Sequence, residues 1–276
     1  MITSIGIFDS GFGGLTILEK IREQLPEYDY VYLGDNVRTP YGNRSFEVVY
    51  EFTLQAVKWL FKQNCQLVIL ACNTASAKAL RTIQQKDLPY LDPQRRVLGV
   101  IRPTVECVGQ FTKTKHIGVL GTPGTIASGS YTLEIKKLYP DITVEGEACP
   151  MWVPLIENNE HNKPGADYFI QQHLENILAR DAKIDTLILG CTHYPLLEKK
   201  IRSFLPESIS IVSQGQFVAE SLDNYLKRQP EIANRCSKNS TCSFYTTESE
   251  EIFASTASLF LNEKIAVERI NLEKEY

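Results

Sequence analysis

Short apolar runs rich in β-formers recur along the chain, at Ser4 to Phe8, Tyr30 to Leu33, Leu67 to Leu70, Val97 to Ile101, His116 to Leu120, Thr186 to Leu189 and Ile209 to Val212. Between the first of them the period lengthens. Leu15, Leu18, Ile21, Arg22 and Leu25 fit one helix stopped by Pro26, and Val49, Thr53, Ala56, Val57, Leu60 and Phe61 fit a second that starts from a Ser45 cap. Strands alternating with helices predict an α/β protein with parallel-rich sheets.

The pattern also repeats. Gly6-Ile7-Phe8-Asp9-Ser10-Gly11 has an echo in Gly118-Val119-Leu120-Gly121-Thr122-Pro123, and Leu67 to Thr74 has one in Thr186 to His193. The order is kept, and the separations are similar: 66 residues from Gly6 to Cys72 and 73 from Gly118 to Cys191. Two similar α/β halves related by a pseudo-twofold axis are expected, with a cleft between them.

The 276 residues carry a net charge of −4, which gives no positive field to gather nucleic acid or an anionic membrane surface. No apolar run approaches the roughly 18 residues that span a bilayer, and Met1-Ile2-Thr3-Ser4 lacks a basic leader, so a cytoplasmic protein with a small-molecule ligand is expected. The seven cysteines are odd in number and without CxxC spacing, which reads as free thiols in a reducing compartment. The four histidines form no metal-binding pattern, so no metal is assigned.

Two cysteines stand apart. In each half an apolar strand ends in a thiol followed by small polar residues, Cys72-Asn73-Thr74-Ala75-Ser76 and Cys191-Thr192-His193-Tyr194-Pro195. The carboxyl edge of a parallel sheet is where such folds bind ligands. A helix starting there offers unpaired N–H groups and partial positive charge, and is expected to favour the thiolate below the ordinary thiol pKa of about 8.5. One such cysteine alone reads as an inert core residue, as Cys65, Cys107, Cys149, Cys236 and Cys242 do. A repeated pair in equivalent places is harder to assign to packing. Opposed thiols suit stereoinversion, one removing a proton from carbon while the other donates to the far face, without a cofactor.

Asp9 and Ser10 open the loop Ser10-Gly11-Phe12-Gly13-Gly14, where the dinucleotide spacing fails because Thr16 stands where a glycine is needed. Helix N-capping is the plainer reading of both residues. Taken together, Asp9 to Leu15, Gly34-Asp35 with Pro40-Tyr41-Gly42, Ala71 to Ala75 and Gly190 to Pro195 resemble, in order, the four signatures of glutamate racemases. The resemblance continues through Ala148-Cys149-Pro150 and Val153 to Glu157 as far as Phe244-Tyr245-Thr246-Thr247.

The resemblance implies that Cys72 and Cys191 are the acid/base pair, that Asp9 assists Cys72, and that His193 and Glu157 assist Cys191. It implies substrate contacts at Asp9, Ser10, Tyr41, Gly42, Asn73, Thr74, Thr192 and His193, with which we group Thr122 of the echoed segment. His193, where aspartate-specific relatives usually carry Glu, favours glutamate as substrate, and D-glutamate for peptidoglycan as the product. It further implies two domains, 1–97 with 211–276 and 98–210. Homodimers are common in the family, and a homodimer stays open here. The chain opens almost directly on its first strand, so activation of the kind linked to an amino-terminal extension is not expected. An aspartate racemase, a two-domain receptor for an acidic ligand and a dithiol redox protein are the competing readings.

Overall fold

The computed structural model describes residues 3–261 and 263–272; the Met1-Ile2 start lies outside them. Among the described residues, ten strands form two parallel sheets. The first contains β1 (Ile5–Asp9), β2 (Tyr30–Gly34), β3 (Leu67–Leu70), β4 (Arg96–Gly99), β9 (Cys242–Thr246) and β10 (Val267–Arg269), in the order β10-β9-β2-β1-β3-β4. The second contains β5 (His116–Gly121), β6 (Thr143–Ala148), β7 (Thr186–Gly190) and β8 (Ser210–Val212), in the order β6-β5-β7-β8. The second order repeats the inner order β2-β1-β3-β4 of the first, with β5 in the place of β1 and β7 in the place of β3. The chain passes from the first sheet to the second after Gly99 and back after Val212.

Parallel strands buried on both faces need apolar residues of either parity. Ile5, Ile7, Leu67 and Ile69 point into one core with helix α1 (Leu15–Gln24) and the helix Gly215–Arg228. Phe8, Val68 and Leu70 point into the opposite core with α2 (Phe46–Lys62). Leu187 and Leu189 do the same on one face of the second sheet, and Val119 and Ile188 on the other. Each fully buried aliphatic side chain of this kind contributes roughly 1.5–3 kcal/mol.

Both expected helices form. Ser45 caps α2, its Oγ accepting from the Val48 N–H at 3.3 Å, and α1 ends before Pro26. The run Val97 to Ile101 is split: the strand stops at Gly99, and Ile101 opens the helix Ile101–Val108, whose Ile101, Val105 and Val108 turn into the core. Three strands had no expectation. β6 (TVEGEA) and β10 (VER) lie at sheet edges and are too polar to register as apolar runs. β9 (CSFYT) mixes polar and aromatic residues.

Candidate active site

The β3 strand delivers Cys72 to the carboxyl edge of the first sheet, where its backbone turns into α3 (Asn73–Lys78). Cys72 is the N-cap of that helix: its sulfur accepts from the Ala75 N–H at 3.4 Å and lies 3.3 Å from Ser10 Oγ. The β7 strand delivers Cys191 to the equivalent edge, but no α-helix follows at once. Thr192 and His193 form a turn into the 3-10 segment Tyr194–Leu197, and the α-helix waits until Glu198. The sulfur of Cys191 lies 3.9 Å from His193 Nδ1, while His193 Nε2 is 3.0 Å from Glu157 Oε1. Glu157 is the last residue of the helix Trp152–Glu157, not a free loop charge. Both thiols are buried, 5% and 6% exposed, so a reaction between them would be shielded from water.

The two edges interlock. Asp9, at the end of β1 and fully buried, accepts from the Gly11 N–H at 2.9 Å and from Thr192 Oγ1 at 3.4 Å across the cleft. It does not cap α1, whose N-cap is Gly14. Thr74 Oγ1 lies 2.9 Å from Thr122 Oγ1 and 3.2 Å from Thr125 Oγ1 on the opposite half, where Thr122 caps the short helix Pro123–Ala127. Thr16 Oγ1 donates to the Thr192 carbonyl at 3.1 Å. Gly13 allows the closest approach: a Cβ there would sit 2.4 Å from both His193 Nδ1 and Thr192 Oγ1.

The Asp/Glu/hydantoin racemase family profile matches residues 5–222, most of the chain. The chain belongs to that family. A glutamate racemase of Oceanobacillus iheyensis is 38% identical over 264 residues, covering 95% of this chain and 93% of the relative. Among solved structures, a glutamate racemase isoform from Bacillus anthracis superposes with a TM-score of 0.89 at 36% identity, covering 98% of both chains. A Francisella tularensis glutamate racemase in complex with D-glutamate gives 0.87 at 32% identity, covering 99% of this chain and 98% of that one.

The electrostatics of this racemase-family site differ from the expectation in one respect. Burial, reinforced by the neighbouring Asp9 carboxylate, pushes the Cys72 thiol up to about 12, against the hydrogen bonds from Ser10 and the Ala75 N–H. Helix-start stabilisation of a thiolate is therefore overridden at Cys72, because removing the charge from water costs more than one weak N–H···S contact returns. Cys191 is near enough to add to the same push. Burial also raises Asp9, opposed by His193 and by the Gly11 and Gly14 N–H groups. At His193 burial works against the imidazolium, but the hydrogen bonds to Cys191 and Glu157 outweigh it and carry the ring up to about 10.

Two expected contacts present a different face. Tyr41 sits in the short 3-10 turn Tyr41–Asn43 with its ring against Phe8 and Phe52, and its hydroxyl is committed to Asp35. Gly42 meets the other half, since a Cβ there would sit 2.7 Å from Thr122 Cβ. Residues given no role in the sequence analysis also contribute. Asp35 anchors Tyr41, Arg38 and Thr247, and Gln214 and Tyr131 bond Asn73. Asp35 stood inside a quoted signature; Gln214 and Tyr131 carried no local signal.

Proposed function

We propose that the protein is a cofactor-independent glutamate racemase in which Cys72 and Cys191 move a proton on and off the α-carbon from opposite faces. The observation that carries this reading is the pair of buried thiols at the ends of topologically equivalent strands, β3 and β7, on edges that touch through Asp9 and Thr192. One thiolate takes the α-proton while the opposed thiol supplies another, and the roles exchange for the reverse direction. The two sides handle the proton differently. Beside Cys72 stands Asp9, a carboxylate with raised proton affinity and so a stronger base; beside Cys191 stands an imidazolium that can return a proton to sulfur. Carbanion charge developing next to a carboxylate needs oriented donors, a role this reading gives to Ser10, Asn73, Thr74 and Thr192, with Thr122 and the backbone at Gly42 beside them.

The two sheets are the cores of two domains in this reading, and the chain crosses between them after β4 and after β8. The product D-glutamate would serve peptidoglycan synthesis in the cytoplasm, and a homodimer is compatible with the same site. Among the described residues no helix is long and apolar enough to cross a membrane.

Incubation with L-glutamate and with D-glutamate in deuterated buffer, without added cofactor, tests the proposal. Gain of α-deuterium and convergence of both samples to zero optical rotation are expected, with L-aspartate as the control. Absence of exchange with either glutamate enantiomer would reject it.

A further inference from the structure

Between the halves, behind the Cys72 motif, four buried side chains form a directional network. Asn73 Nδ2 donates to Gln214 Oε1 at 2.6 Å, Gln214 Nε2 donates to the Tyr131 hydroxyl at 2.7 Å, and that hydroxyl donates to Asn73 Oδ1 at 2.7 Å. The ring is closed, each member donating once and accepting once. Its sense of rotation is set from outside. Thr104 Oγ1 spends its hydrogen on the Val100 carbonyl at 2.9 Å, so toward Gln214 it can only accept, which it does from Nε2 at 3.0 Å. A flipped Gln214 amide would turn its oxygen toward the Val100 carbonyl, now 3.5 Å from Nε2. Thr104 therefore fixes Gln214, and Gln214 fixes Asn73.

The count of polar hydrogens then becomes informative. Both N–H groups of Gln214 and the hydroxyls of Tyr131 and Thr104 are committed. Among the described residues, the second N–H of Asn73 Nδ2 has no acceptor, and it belongs to the residue that follows Cys72. Asn73 comes from the first sheet, Thr104 and Tyr131 from helices packed on the second, and Gln214 from the return crossing. The ring exists only while the halves hold this relative arrangement.

We infer that Tyr131, Gln214 and Thr104 are positioning residues that lock the Asn73 amide as a donor for a substrate carboxylate, and thereby tie the aim of that donor to closure of the halves. The inference rests on the racemase reading for the identity of the ligand, but the ring itself can be tested without turnover. In 15N–1H spectra of the whole protein, the Asn73 side-chain amide gives a slowly exchanging pair of resonances; Tyr131→Phe and the near-isosteric Thr104→Val each shift it and speed its exchange. With glutamate as substrate, either variant raises KM about 3- to 10-fold, the loss set by one uncharged hydrogen bond, and changes kcat less. In an Asn73→Ala background the added substitution has no further effect on kcat/KM, because its route is gone. An Asn73 amide unchanged in both variants, or losses that multiply in the double variants, would overturn the inference. A wild-type protein that does not racemise glutamate would reject the proposed function, and the amide spectrum would still decide for or against the ring.

Discussion

The sites around Cys72 and Cys191 begin from the same plan, a parallel strand delivering a thiol to the sheet's carboxyl edge, and diverge one residue later. After Cys72 the chain enters an α-helix at once, and the sulfur is met by a hydroxyl, a backbone N–H and the field of a carboxylate. After Cys191 it makes a turn, which swings His193 back toward the sulfur and onto Glu157. One thiol keeps its proton because burial and Asp9 outweigh the two hydrogen bonds that favour its thiolate; the other is paired with a cation. Topological equivalence thus fixes where the sulfur stands, while the local choice of helix or turn, together with Asp9 and Glu157 from other elements, decides its charge environment.

Replacing either thiol is the strongest way to break this comparison. Cys72→Ser and Cys191→Ser should each lower racemisation by about 10²- to 10⁴-fold, while each retains α-deuterium exchange with one glutamate enantiomer only; near-normal racemisation by both would end the two-base mechanism. Gly13→Ala acts on the contact between the halves. A methyl group cannot occupy a point 2.4 Å from His193 Nδ1, so the His193 and Thr192 side chains or the halves that carry them must shift, and a fall of about 10- to 100-fold in kcat/KM is expected from overpacking of roughly 1–3 kcal/mol. Steady-state kinetics with a crystal structure of the variant would check it.

His193→Gln sharpens the asymmetry, with an expected loss of about 10-fold in kcat. It also has a signature in stability. The folded ring titrates near 10 against a reference of 6.5, so its stabilising proton is fully present below pH 6.5 and is lost as pH rises toward 10. Urea midpoints of the wild-type protein should therefore decline across that window, and the decline should flatten in His193→Gln. The smallest effect on activity belongs to Cys65→Ala. This thiol is buried near Gly6 and Leu60 ahead of β3, at the opposite end of that strand from Cys72, so it should cost about 1 kcal/mol of stability and leave kcat/KM within about 2-fold.

Much of this was readable from the chain. Strand and helix periods gave the α/β class, because central parallel strands are apolar on both faces; the edge strands β6 and β10, half open to solvent, left no such trace. The repeat of glycine-bearing and cysteine-ending segments marked the two halves and both thiols. What the chain could not reveal depends on docking. Thr104, Tyr131 and Gln214 are distant in sequence and meet Asn73 only once the halves close. The upward shift of the Cys72 thiol is hidden from the sequence for the same reason, since it depends on how deeply the sulfur is enclosed and on Asp9, contributed by another strand.

The repeated strand order also bears on handedness. A chain of L-residues cannot build the mirror image of one of its own units; it can build a second copy and rotate it. A half-turn about an axis in the plane of a flattened carbon exchanges the two sides of that plane, so rotation supplies what reflection would. The shared order of β2-β1-β3-β4 and β6-β5-β7-β8 supplies the second copy that such a rotation needs. The match cannot be complete, because the groups attached to that carbon are not themselves exchanged by the half-turn. In the proposed two-base racemisation, unlike neighbours around like thiols, Asp9 on one side and His193 on the other, let a homochiral scaffold treat left and right alike.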